Sequence, residues 1–149
     1  MTDEEFKAIL EDETKAIIGN ISWVDDSDHS PAKEFRSEVN SRVGYPLFNE
    51  GRYNLLAGKL SYSLIYRGVG RIYGLDLGAD HRNPDGERVG EKHKNYWKDG
   101  ARDKWAYVPE DITEPWIRPV RVWNQFCAEL KLTHAGIMAL PAVQESLPL

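Results

Sequence analysis

The chain has 149 residues, a formal net charge of −5 and a pI near 5.4, with 41% hydrophobic residues and a mean hydropathy of −0.56. A chain of this length is one domain's worth, buries roughly 68–70% of its unfolded surface and needs no disulfide or metal to fold. The acidic balance argues against a general nucleic-acid binder, because counterion release needs clustered Lys and Arg, and the single cysteine, Cys127, excludes an intrachain disulfide.

The first residues, MTDEEFKAIL, are acidic and lack the apolar stretch of a signal peptide. No apolar run approaches the ~18 residues of a membrane span. We therefore expect a cytoplasmic protein without a membrane partner. Thr2 with Glu5 three residues on is a capping box, and Phe6, Ile9, Leu10 and Ile17 recur at helical spacing. These predict a helix closed by Gly19-Asn20. A short strand at Ile21 to Val24 and a polar loop, Asp25 to Pro31, follow.

From Lys33 the period changes to two. Phe35, Ser37, Val39, Ser41 and Val43 alternate with Glu34, Arg36, Glu38, Asn40 and Arg42, the pattern of a half-exposed antiparallel strand. After a turn at Gly44-Tyr45-Pro46, Leu47-Phe48 and Tyr53 to Leu56 read as flanks of a turn at Asn49-Glu50-Gly51. Leu60 to Tyr66 and Arg71 to Leu77 are two further strands about Gly68-Val69-Gly70. Gly78 to Asp103 reads as polar loop, Trp105 to Val108 as a last short strand, and Val120, Trp123, Phe126, Cys127 and Leu130 as the apolar face of a second helix. The tail after Thr133, with Pro141 and Pro148, reads as irregular. The fold expected is a single α+β domain over 1–149: an antiparallel meander of four to five strands with an N-terminal and a C-terminal helix packed on it.

Reactive side chains concentrate between Asp76 and Asn95. Asn83-Pro84-Asp85-Gly86 is a strong turn. If it reverses the chain, His81 and His93 approach across a hairpin. Paired imidazoles supply a general base and acid near neutral pH, and Lys94, Arg82 or Arg88 would steady an anionic transition state. That outlines a metal-independent ribonuclease or phosphodiesterase with His81, His93 and Lys94 as its catalytic set. Alternatively Asp80, His81 and His93, helped by Asn83 or Asp76, make a divalent-metal set, although no cofactor motif is present. The competing interpretation is an exposed turn, polar because turns are.

Other patterns are weaker. Gly68 to Gly74 has the wrong spacing for a dinucleotide fingerprint. Asp25, Asp26, Asp28 and His29 lack EF-hand spacing. His134 reads as structural, and Cys127, on an apolar helix face, as a small hydrophobe. The cations Arg82, Arg88, Lys92, Lys94, Lys98, Arg102 and Lys104 are diluted by carboxylates. Trp97, Trp105, Tyr107, Trp116 and Trp123 crowd the C-terminal third, where some form core and others a binding surface.

Three stretches carry a resemblance: Gly74-Leu-Asp-Leu-Gly-Ala-Asp-His-Arg-Asn-Pro, then Gly90-Glu-Lys-His-Lys, then Arg102-Asp-Lys-Trp-Ala-Tyr-Val-Pro-Glu-Asp-Ile-Thr with Val122-Trp-Asn-Gln-Phe-Cys-Ala-Glu. Over most of the chain they resemble a family of small uncharacterised bacterial and phage proteins. The resemblance implies a mobile-element, defence or counter-defence setting and brings no activity. It also implies a further histidine two residues after His93, where this chain has Asn95, which is neither a base nor a good transition-metal ligand.

The expectation is an interaction protein that binds and inhibits or regulates a protein or nucleoprotein partner. Asp80, Arg82, Asn83, Arg88, Asn95, Trp97 and Trp105 are its candidate binding residues. The alternative is the small ribonuclease.

Overall fold

A computed structural model describes residues 1–29 and 31–141; Ser30, the side chain of His29 and the tail beyond 141, with Pro148, lie outside the described residues. The elements in order are Asp3–Glu11 (α1), Ala16–Ile18 (β1), Val24–Asp25 (β2), Lys33–Val39 (β3), Leu47–Asn54 (β4), Lys59–Tyr66 (β5), Gly70–Leu77 (β6), Lys92–Lys98 (β7), Arg102–Tyr107 (β8), Pro119–Glu129 (α2) and Thr133–Ala135 (β9). Strands β2 to β8 form a seven-stranded sheet in chain order, every neighbouring pair antiparallel, while β1 and β9 pair parallel in a sheet of two. The α+β class and the meander are as expected. The strand number is not: the sheet has seven strands instead of four to five.

Each difference has a local cause. Helix α1 starts as predicted, with the Thr2 hydroxyl accepting from the Glu5 N–H at 3.1 Å. It ends at Glu11, well before Gly19, because buried Lys15 gives its ammonium to the carbonyls of Ile9 and Asp12, both at 2.6 Å, and of Leu10 at 3.1 Å. Ile17 belongs instead to β1. The chain does not turn at Asn49-Glu50-Gly51, where β4 runs straight through. Gly51 is there because the Phe35 ring lies across it, and any Cβ would overlap that ring. Strand β7 occupies part of the expected loop. Thr133 to Ala135, expected to be irregular, forms β9 beside β1, tied by the Gly19 N–H to Ala135 O at 2.8 Å.

Register divides the main sheet into two faces. Phe35, Gly51, Tyr62, Leu75, Lys94 and Tyr107 lie in line across β3 to β8 on one face. Both helices pack there. Trp123 meets Tyr62 and Phe35 at ring distances of 5.1 and 5.6 Å, Phe126 meets Tyr62 at 5.8 Å, and Phe6 meets Tyr73 at 6.2 Å. Cys127 is buried in this core as a small hydrophobe, and burial pushes its thiol well above the usual range. His134 ties the second sheet to the core, accepting from Trp123 Nε1–H at 3.1 Å and donating from Nε2 to Gly19 O at 2.8 Å. The opposite face carries the row Glu34, Arg52, Ser61, Asp76 and His93, and no helix of the described residues packs over it.

Candidate functional site

Asp76 is the hub of the open face. Its register neighbours are Ser61 on β5 and His93 on β7. Oδ1 accepts from Ser61 Oγ at 2.7 Å and from Arg71 Nη2 at 3.0 Å; Oδ2 accepts from Arg71 Nη1 and from His93 Nε2, both at 3.2 Å. Arg71 reaches Asp76 by folding its guanidinium over Gly74, where a Cβ would overlap it. Burial pushes the Asp76 carboxyl up. The bond from His93, the charge and bonds of Arg71 and the bond from Ser61 outweigh this and hold it well below the usual carboxylate range.

His93 is buried at 2% exposure, and its Nδ1 faces Gly90 O at 2.8 Å. Both ring nitrogens are thus engaged, one by a carbonyl and one by a carboxylate. The His81 ring lies 5.0 Å from that of His93, planes inclined by 33°. The predicted hairpin thus exists and brings the histidines together. The turn closes with Gly86 N–H to Asn83 O at 2.8 Å, and Val89 N–H reaches His81 O at 2.8 Å across the arms.

The hairpin side chains nevertheless face the protein. His81 Nε2 donates to Lys104 O at 2.8 Å. The Asn83 side chain makes both bonds of a peptide group to one residue of β8: Nδ2 donates to Ala106 O at 3.0 Å and Oδ1 accepts from Ala106 N–H at 2.8 Å. Edge-strand backbone groups left open invite pairing with other chains, and these two side chains cover them.

The other expected residues scatter. Asp80 and Arg88 pair with each other at 2.8 Å, and Arg82 donates to Gly86 O at 3.0 Å, all on the exposed hairpin. Lys94 does not join the histidines. Strand alternation sends it through to the helix-covered face, fully buried, against Glu129 and Asp111, the latter at 2.7 Å. Asn95 is buried on the same face as His93 and donates to Asp103 O at 2.9 Å; its Oδ1 has no partner among the described residues. Trp97 is core, bonded through Nε1 to Met1 O at 2.8 Å, so it offers no binding surface. Trp105 is half-buried with the Lys98 ammonium 4.8 Å over its ring. Among the described residues no group of three His, Cys, Asp or Glu side chains could hold a metal ion. The acidic loop is also engaged internally: Asp25 pairs with Lys33, and Asp26 accepts from Arg52 at 2.8 Å.

Two features escaped sequence reasoning. Ser61 and Arg71 complete the Asp76 hub; an aspartate between Leu75 and Leu77, opposite the alternating serines of β5, was their signal. On the other face Glu129 Oε1 accepts from Tyr73 at 2.7 Å and Tyr107 at 3.0 Å while Oε2 meets Lys94. Burial pushes the Tyr73 phenol well above its usual range and the Lys94 ammonium down. Nothing local in the sequence joins residues so far apart.

Open space lies beside the Asp76 hub and along the sheet from it. A groove of about 310 Å³ runs past Arg52, Ser61, Asp76 and Ala79, and one of about 330 Å³ past Glu34, Arg36 and Glu50. A cleft of about 440 Å³ lies between Gly58, Leu77, Lys92 and Trp116. No helix among the described residues is long and apolar enough to cross a membrane.

No curated protein and no solved structure matches the chain. The model of an uncharacterised family does match, over residues 1–132, taking in every element except β9. The chain belongs to that family, the family of unknown function DUF6978.

Proposed function

We propose that the protein works by binding, as an interaction protein that inhibits or regulates a protein or nucleoprotein partner. One observation carries this reading. The side chains that suggested catalysis are engaged in internal bonds: His93 by Asp76 and Gly90, His81 by Lys104, and Lys94 by two carboxylates across the sheet. A general base needs a free nitrogen within hydrogen-bond reach of its substrate; His93 has both ring nitrogens engaged, while His81, with Nε2 held on Lys104 O, keeps only Nδ1 unbonded among the described residues. The grooves of the open face and the Trp116 cleft, at about 310 to 440 Å³, remain as recognition surfaces, near the low end of the size range of ligand sites. The phage or mobile-element setting implied by the resemblance, within a cytoplasm, suits such a protein.

Tagged protein expressed in its native host should retain a partner in fixed ratio through gel filtration, and the retention should survive His81→Ala. Absence of any retained partner sinks the reading. The second reading, a small ribonuclease or phosphodiesterase, is favoured by one distance, the 5.0 Å between the imidazole rings. It requires cleavage of RNA that His81→Ala abolishes.

A further inference from the structure

We propose that β8 is a pairing edge for a second copy of this chain, and that the hairpin of residues 78–91 is the cap that occupies it. Strand β8 ends the sheet. Its outward groups, Lys104 O, Ala106 N–H and Ala106 O, are the ones an added strand uses, and all three are taken by side chains of the hairpin. The carboxamide of Asn83 stands in for a peptide group, with its donor and acceptor both bound to Ala106. Asp80, Arg82, Pro84, Asp85, Glu87 and Arg88 are exposed, and Gly90 takes φ +105° with open space around it.

The identity of the occupant follows from the strand. An antiparallel pair about a two-fold axis at Ala106 sets Ala106 opposite itself, Trp105 opposite Tyr107 of the second copy, and Lys104 opposite its Val108. The two Ala106 residues then exchange N–H and C=O, and Lys104 O accepts from Val108 N–H of the second copy, a group with no hydrogen-bond partner among the described residues. No like charges oppose each other. The aromatic cross-strand pair is of a favourable kind, and the pairing would cover Tyr107 and Val108, now 39% and 56% exposed. Cap and copy compete for the same atoms, so the capped chain is the monomer. This inference does not rest on the function proposed above.

The test compares wild type with His81→Ala/Asn83→Ala by sedimentation velocity and by amide exchange at Ala106 over a range of concentration. Wild type should sediment as a monomer with a protected Ala106 amide. The double variant should dimerise with rising concentration. Its Ala106 amide should exchange about tenfold faster when dilute, as expected for a lost hydrogen bond, and regain protection when concentrated. Adding Ala106→Pro, tolerable where the N–H points off the sheet edge, should return the variant to a monomer. A double variant that stays monomeric, or whose Ala106 exchange ignores concentration, overturns the proposal. Should circular dichroism show the double variant unfolded, Asn83→Ala alone, which frees both Ala106 N–H and Ala106 O and leaves the His81 bond in place, takes its place with the same outcomes.

Discussion

Nε2 of His93 faces Oδ2 of Asp76 at 3.2 Å while Nδ1 of the same ring faces Gly90 O at 2.8 Å. The ring pins the start of β7 to β6 and to the hairpin's return. His93→Phe keeps the volume but leaves the Asp76 carboxylate and the Gly90 carbonyl short of a donor. Leaving a buried acceptor without its donor costs about 1–3 kcal/mol, and Arg71 and Ser61 remain to soften the loss at Asp76, so urea unfolding should place it toward the lower end. His81→Ala, which frees one edge carbonyl, should cost about 1 kcal/mol.

Acid should act through Asp76. Its carboxyl titrates well below the ordinary value in the folded state, where the pull of His93, Arg71 and Ser61 overcomes burial. The unfolded chain protonates near the usual Asp value of about 3.9, so below that pH the unfolded state binds more protons. The Asp76 contribution is therefore fully present above about pH 4 and lost as pH falls further toward the depressed value. Unfolding free energy measured from pH 5 down to 2.5 should fall more steeply for wild type than for Asp76→Asn. Equal slopes would refute the assignment.

Much of this was legible in the sequence, and the failures have physical reasons. Strands β3 and β5 announce themselves because one face is apolar and the other polar, and β6 follows from the tight turn at Gly68 to Gly70. The Asn83 to Gly86 turn is dictated by Pro and Gly chemistry, and the histidine approach follows from it. Strand β7 was hidden: Lys92-His-Lys-Asn reads as loop, yet His93, Lys94 and Asn95 are all buried, each supported by residues from other strands or from α2. Strand β4 looked broken because Gly51 suggests a turn, when its missing side chain makes room for Phe35. The β1–β9 pair joins distant parts of the chain, beyond any local pattern.

Gly51→Ala tests that second point. The added methyl group meets the Phe35 ring, which is itself wedged against Trp23 at 4.9 Å and Trp123 at 5.6 Å and has little room to move. Overpacking of this kind costs about 1–3 kcal/mol. Combined with Phe35→Leu, the two losses should fall short of their sum in a double-mutant cycle.

Lys94→Met tests the far face. The ammonium is fully buried, but Asp111 and Glu129 reach solvent, at 41% and 33% side-chain exposure, and can be rehydrated. The loss should be about 1–3 kcal/mol, below that for a sealed pair. A change in RNA binding or turnover with stability intact would place Lys94 in a site after all.

The central claim is that the hairpin histidines hold structure and do not perform catalysis. The rate of RNA cleavage by purified wild type and His81→Ala, with folding checked by circular dichroism, tests it most directly. The account predicts the same buffer-level rate for both. Turnover by wild type that falls about a hundredfold or more in His81→Ala, the scale of a lost general acid or base, would contradict it.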